Sequence, residues 1–382
     1  MIFIIKIMIF ICNFIYMFMK LFKVKNKITF ISRQSNNINT DFKLMKDDLN
    51  KRYGNIEIVV LTKKLENGLL NKIKYIFHIF KQMYHIATSK VVILDSYCIP
   101  ISILKHKKNL KVIQIWHALG AFKKFGYSIE DTEEGTSSKL NKTMKMHNNY
   151  NYIFVSSENV KPYFKEAFGT SLDKILTYPL PRLDLLNDKN YIKKTKNAIN
   201  KKYPNLKKKE NIIYAPTFRI LKNNMIDKSQ VNDIKYIEKL IKQIDFDKYN
   251  LIIKAHPLSN LEIKDERIII DKSFTTLDML LISDYVITDY SAIVYEAAYL
   301  NKPLFFYAYD MDSYLKNREF YIDYKKLPGV ISKSPKRIIE AIKNKEYDKK
   351  EIKKFSDENI NKPKITYTKD IDNFIISIIN LD

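Results

Sequence analysis

Residues 284–306 read DYVITDYSAIVYEAAYLNKPLFF. The run YVIT is β-branched and aromatic, as strands are. It passes through Thr288, Asp289 and Ser291, all good capping residues, into a helical stretch, SAIVYEAAYL at 291–300, and then into a second apolar run, PLFF at 303–306. Strand, helix, strand at this spacing is the unit from which parallel sheets are wound. Working outward, the same alternation recurs. Runs at 211–214 (NIIY), 250–254 (NLIIK) and 267–270 (RIII) precede it, and before them come 28–31 (ITFI), 57–61 (EIVVL), 91–95 (VVILD), 112–116 (VIQIW) and 152–155 (YIFV). Helix-like stretches such as 69–87 and 158–168 lie between. The pattern predicts two doubly wound α/β units facing a cleft.

Boundaries follow from composition. We expect an apolar membrane-associating segment at 1–25, an N-terminal unit at 26–188, a lysine-rich connection containing Pro204 at 189–210, a C-terminal unit at 211–345, and helices at 346–382 packing back on the body. Of 382 residues, 46% are hydrophobic and 13% aromatic, which supports large cores and excludes a disordered chain. Only 7 are glycine, too few for a glycine-rich phosphate loop, so a phosphate site must use helix N-termini and side chains. Two cysteines, Cys12 and Cys98, exclude a disulfide scaffold and fit a reducing compartment. The net charge of +24 fits an anionic partner, or simply a lysine-rich solvated surface. Nucleic acid is not the expected partner, because the aromatics fall in core-like strand runs rather than in an exposed stacking series.

Residues 1–19 are apolar apart from Lys6 and Asn13, and Lys20, Lys23, Lys25, Lys27 and Arg33 follow. The length is at the limit for a spanning helix, and the basic flank would leave the remainder cytoplasmic. No small-residue cleavage site follows, which argues against a signal peptide. A translation start at Met17 or Met19 is the other reading.

Ligands in doubly wound sheets bind beyond the carboxyl ends of the strands. Those positions hold Ser32-Arg33, Asp95-Ser96, His117, Ser156-Ser157, Thr217 to Arg219, His256-Pro257 and Thr288 to Ser291. His117 is either a general base or a buried structural histidine, and it precedes a loop with Gly120, Gly126, Lys123 and Lys124, two cations able to meet phosphate. His256 is either a phosphate donor or a turn-stabilising group. Arg219 is a natural bidentate phosphate ligand and Arg318 a weaker one. Thr288, Asp289 and Ser291 open a helix whose free amides suit phosphate. Glu296, further along, either accepts from ribose hydroxyls or is solvated. His78, His85, His106 and His147 show no partners in the sequence, and no His, Cys or Asp set has metal-ligand spacing.

Taken in order, IWHALGAFKKFG (115–126), YAPTFR (214–219), KAHP (254–257), TDYSA (288–292), LNKPLFFYAYD (300–310), and FYIDY with LPG (320–329) resemble the CDP-glycerol glycerophosphotransferase family of teichoic-acid biosynthesis. The likeness covers about residues 27–330, including KITFISRQSNNINTDFKLM at 27–45. Ala118 stands where the family often has glycine, as does Glu319, and TYPLPRLDLL at 177–186 lacks the glycine expected before Pro-Arg. The resemblance implies a GT-B-like fold, with nucleotide held mainly by the second unit, and a donor of CDP-glycerol or CDP-ribitol. An acceptor hydroxyl would attack the polyol-bearing phosphate and CMP would leave. His117 would be the general base; His256, Arg219 and the amides near Ser291 would neutralise the diphosphate. The implied acceptor is an undecaprenyl-diphosphate-linked saccharide or polyol-phosphate polymer at the cytoplasmic face of an anionic membrane, with no metal or other cofactor. The alternatives are another GT-B nucleotide-sugar glycosyltransferase and a non-catalytic membrane-associated binding protein.

Overall fold

Two parallel sheets of six strands each organise the chain. The computed structural model describes residues 2–217, 226–254, 263–317 and 319–380. It divides into two compact units. The first comprises Met1–Leu119, Phe125–Asp184 and Asn361–Asp382; the second comprises Gly120–Lys124 and Leu185–Ile360.

In the first unit the strands are β1 (Lys27–Ser32), β2 (Glu57–Thr62), β3 (Val91–Leu94), β4 (Lys111–Gln114), β5 (Tyr152–Val155) and β6 (Ile175–Thr177), in the order β2-β1-β3-β4-β5-β6. β1 and β3 are buried along their whole length, as expected of apolar runs covered on both faces by crossover helices. The helices up to β6 are α1 (Ile2–Met19), α2 (Thr40–Arg52), α3 (Leu69–Thr88), α4 (Ile99–Ile103), α5 (Ser138–Met144) and α6 (Lys161–Phe168). Asn39 starts α2 by accepting from the Phe42 amide at 2.8 Å, and Gly169, at φ +58°, stops α6. The last helix, Tyr367–Asn380, returns to this unit and packs on α2. Asp184 caps it by accepting from the amides of Tyr367 (2.9 Å) and Thr368 (2.8 Å).

In the second unit the strands are β7 (Glu210–Ala215), β8 (Tyr249–Ile253), β9 (Ile268–Ile270), β10 (Tyr285–Thr288), β11 (Leu304–Tyr307) and β12 (Val330–Ser332), in the order β12-β11-β10-β7-β8-β9. The stretch 189–210 lies inside this unit and carries the helix Lys189–Lys202, capped by Asp188. The helix in the opening motif runs Ile293–Tyr299, shorter than the expected 291–300 because Tyr290 to Ala292 form the turn into it. Ten strands coincide with the apolar runs. β6 and β12, three residues each at sheet edges, were not expected, because neither run is long enough to stand out.

Each sheet reverses its winding once. β2 and β3 flank β1 in the first, and β8 and β10 flank β7 in the second. The crevice beyond the carboxyl ends of such a pair is where doubly wound sheets bind ligands. It falls at Ser32 and Asp95 in the first unit, and at Ala215 and Asp289 in the second.

Candidate functional site

His117 reaches the reversal point of the first unit from the neighbouring strand. β4 ends at Gln114, and the chain turns through Trp116 in the left-handed region, φ +59°. For a bulky residue this conformation costs about 1–3 kcal/mol. The Trp116 ring offsets that by stacking on Phe125 at 4.8 Å and meeting Phe168 edge-on at 5.3 Å. Its amide donates to Gln114 Oε1 at 3.0 Å, and Gln114 donates in turn to the Ser96 carbonyl at 3.1 Å. The turn is thereby tied to the end of β3.

The His117 ring lies 4.2 Å from the Trp116 ring, with Nδ1 2.9 Å from the backbone oxygen of Asp95. A carbonyl only accepts, so Nδ1 carries the proton and Nε2 carries the lone pair. Gln34 Nε2 stands 3.4 Å from Nδ1 and, with that nitrogen protonated, makes no hydrogen bond to it. Desolvation leads the causes that push the imidazole down to about 4, with Arg182 and Arg33 adding repulsion. By surface area the residue is exposed, so water still reaches part of it although protein crowds around the imidazole. The result is a neutral, fixed-tautomer imidazole with an available lone pair, which is what a general base requires.

Arg182 holds this arrangement from below. Its Nη2 and Nε donate to Asp41 Oδ2 at 2.5 and 3.0 Å, its amide donates to Asp41 Oδ1 at 2.9 Å, and Nη2 lies 3.4 Å from the His117 carbonyl. Asp41 sits in the first turn of α2, where the helix dipole favours a carboxylate. Asp95 is buried, which pushes its carboxyl pKa up against donation from Ser32, Ser96 and Asn39. Arg33, exposed at the end of β1, lies over the Tyr97 ring at 5.3 Å. Arg182, Asp41 and Gln34 were not singled out from the sequence. The polar position just past a strand end would have flagged Gln34, but nothing local marks a pair 141 residues apart.

In the second unit Asp289 accepts from the amides of Thr217 (2.8 Å) and Tyr290 (2.6 Å), joining the loops that leave β7 and β10. Thr288 donates to the Ala215 carbonyl at 2.8 Å. Both side chains are fully buried, and these hydrogen bonds brace the reversal point. Ser291 is half-buried, its hydroxyl 3.4 Å from the Ile293 amide, and Glu296 is buried rather than solvated. The segment Gly120–Lys124 belongs to this unit. It pairs with the 319–321 strip through Lys124 N to Glu319 O (3.0 Å) and Tyr321 N to Phe122 O (3.1 Å). Lys124 forms an ion pair with Glu319, and Lys123 lies 5.2 Å from the Tyr314 ring centroid. A Cβ on Gly120 would sit 2.2 Å from Cζ of Tyr295, and one on Gly126, at φ +61°, would sit 2.1 Å from the Ala167 oxygen. Both glycines are required by close approach, as the sequence suggested.

Several motif residues are thus structural. Phe320 and Tyr324 pack with Phe122 and Tyr290, and Tyr324 donates to the Asp289 carbonyl at 3.0 Å. Lys254 donates to Asp271 Oδ2 at 2.9 Å and to the carbonyls of Asp271 and Phe274. His256, Arg219 and Arg318 lie outside the described residues. His106 and His147 do have partners, the Ile101 carbonyl at 2.8 Å and the Tyr150 hydroxyl at 3.2 Å, so they are structural. Among the described residues no group of three or more His, Cys, Asp or Glu could hold a metal ion.

Residues 13–362 match the family model described as CDP-Glycerol:Poly(glycerophosphate) glycerophosphotransferase. The chain is 33% identical to a teichoic acid ribitol-phosphate primase of Bacillus spizizenii, over 87% of this chain and 86% of that one. It is 32% identical to a teichoic acid glycerol-phosphate primase of Bacillus subtilis, over 73% of this chain and 71% of the other. In fold it is similar to the wall teichoic acid polymerase TagF, with a TM-score of 0.75 at 24% identity, covering 97% and 94% of the two chains.

Proposed function

The chain belongs to the CDP-Glycerol:Poly(glycerophosphate) glycerophosphotransferase family, and on that premise we propose that it transfers a polyol phosphate from a CDP-linked donor to an acceptor hydroxyl, releasing CMP. The observation that carries the residue assignment is the His117 imidazole, neutral, with Nδ1 committed to the Asp95 carbonyl and Nε2 left to take a proton. As the acceptor oxygen bonds to phosphorus and the phosphorus–oxygen bond to CMP breaks, Nε2 receives the hydroxyl proton. Charge builds on the diphosphate. His256 and Arg219, on the segments that follow β8 and β7, with the amides near Ser291, are the groups that neutralise it. Lys123 and Lys124 supply further positive charge. The Lys124–Glu319 pair is solvent-facing and worth at most about 1 kcal/mol, so a phosphate can compete for the lysine. Phosphoryl transfer depends mainly on positioning and electrostatics, which makes this set sufficient in kind.

The acceptor is a lipid-linked saccharide or its growing polymer at the cytoplasmic face of the membrane. Ile2–Met19 is long and apolar enough to cross a bilayer, and the +24 net charge suits an anionic surface. The relatives include both ribitol and glycerol enzymes at nearly equal identity, so the polyol is read by experiment. CMP release is measured with CDP-glycerol and CDP-ribitol, with and without an undecaprenyl-diphosphate-linked saccharide. Acceptor-dependent CMP release from one of them is expected. Turnover of a UDP-sugar in their place would establish a glycosyltransferase instead.

A further inference from the structure

The polar edge on which His117 stands continues across the first sheet. The order β2-β1-β3-β4 puts the end of β2 three strands from the end of β4, about 14 Å at a spacing of ~4.8 Å. Beyond β2, between Thr62 and the first turns of α3, lies a recess of about 350 Å³. Lys63, Lys64 and Lys74 line it, against one carboxylate, Glu66. Arg33 follows β1, the strand beside β2, and adds to the repulsion that keeps a proton off the His117 imidazole.

The wall of the recess is fixed by Asn36, in the loop that leaves β1. Its Oδ1 accepts from the Lys64 amide at 2.9 Å, its carbonyl accepts from the Thr62 hydroxyl at 3.2 Å, and its Nδ2 donates to Glu66 Oε1 at 3.0 Å. The one acid is thus held by an amide rather than by a lysine. Lys63 Nζ lies 3.5 Å from the Lys74 carbonyl, across the recess on α3. None of Arg33, Lys63, Lys64 and Lys74 makes an ion pair among the described residues. Cations gathered without counterions raise the local potential, and a bound anion relieves their repulsion. Lysine ammonium groups meet a phosphate as point charges, so no glycine-rich loop is needed.

We propose that this recess holds a phosphate group of the acceptor while the acceptor's hydroxyl lies at His117. It belongs to the same unit and the same sheet edge as the base that takes the hydroxyl's proton. A phosphate about 14 Å from that base is too far off to be the one attacked, so it is part of the acceptor's own body. Two parts of such an acceptor carry one: the diphosphate of its carrier, and the phosphodiester links of units already added. Holding the acceptor at this second point limits where its free end can reach, which favours attack by positioning. The inference rests on the reading of a phosphate-bearing acceptor under Proposed function, but binding is measured without donor or turnover, so each can fail alone.

The test is calorimetry on the full chain with three soluble probes: an oligomer of glycerol phosphate, a disaccharide diphosphate, and inorganic phosphate. Wild type is expected to bind at least one of the first two more tightly than inorganic phosphate, and the tighter of them identifies the group that the recess takes. The triple variant Lys63→Gln, Lys64→Gln, Lys74→Gln should lose about 10-fold in that affinity, roughly two- to threefold per lysine, with unchanged thermal unfolding. Removing the same charge from the helix Lys189–Lys202, with Lys193→Gln, Lys194→Gln and Lys201→Gln, should leave the affinity within about twofold, because distant exposed charges are screened. In the CMP-release assay the recess variant should raise KM for the acceptor and leave KM for the CDP-linked donor unchanged. Binding of neither probe more tightly than inorganic phosphate, an unchanged affinity in the recess variant, or an equal loss in the control variant overturns the proposal.

Discussion

Replacing Arg182 by leucine removes the guanidinium that both neutralises Asp41 and reaches the carbonyl of His117. The Asp41 side chain is only 3% exposed, so its charge is left in a poorly hydrated site. Breaking a buried pair from one side costs about 3–5 kcal/mol. Here three facts reduce that figure. The guanidinium is 23% exposed, the Arg182 amide still donates to Asp41, and the first turn of α2 favours a carboxylate. About 2–3 kcal/mol remains, equivalent to a fall of roughly 5–10 °C in the melting temperature of a unit this size. Trp116 is the sole tryptophan and stacks beside His117, so its fluorescence follows unfolding at the site. Asp41→Asn should cost less, because the stranded arginine can hydrate. The double variant should recover at least about 1 kcal/mol relative to the sum of the singles. A shift below about 1 °C for Arg182→Leu, or strict additivity in the double variant, would refute the claim that this pair holds the His117 turn.

Three further outcomes follow from packing and charge. Burial, with the Asp48 and Asp184 carboxylates nearby, pushes Asp372 up to about 10, far above its unfolded value near 3.9. Its contribution is therefore complete below about pH 4 and is lost as pH rises toward 10, and Asp372→Asn should flatten that slope and raise the melting temperature at pH 8 by about 3 °C or more. Lys254→Ala strands Asp271, whose side chain is fully buried, and should destabilise the second unit by about 3–5 kcal/mol in urea titration, whereas an effect below about 1 kcal/mol would mean the pair is dispensable. Gly120→Ala forces a methyl against the Tyr295 ring and should cost about 1–3 kcal/mol while lowering turnover; a silent substitution would show that the loop has room.

The sheets were legible because parallel strands buried on both faces must be continuous apolar runs, and ten of them were long enough to register. β6 and β12 were not, because a three-residue edge strand owes its pairing to its neighbour rather than to its own composition. His117 was legible as a polar residue closing an apolar run, and the two loop glycines as exceptions in a glycine-poor chain. The chemistry around His117 was not. The Asp95 carbonyl, which sets the tautomer, is a backbone atom with no sequence signature, and the Asp41–Arg182 pair exists only once α2 and the segment after β6 are folded together. Thr288 and Asp289 were conspicuous for the opposite reason. Capping residues between a strand and a helix read as a phosphate site, yet their side chains turn inward to join β7 to β10. The N-terminal apolar segment shows the same limit, since hydropathy reports that α1 is apolar but not that Asn13 and Tyr16 fasten it to the fold.

The central claim is that His117 acts as a neutral base through Nε2, and the pH dependence of CMP release tests it most directly. Wild-type kcat/KM should be level through neutral pH and fall only as pH descends toward about 4, where the imidazole gains its proton. His117→Ala should lose about 10²–10⁴-fold at pH 7 and lose that acid limb as well, while Trp116 fluorescence reports an intact fold. A His117→Ala enzyme within about threefold of wild type, or one that keeps the same acid limb, would contradict the assignment.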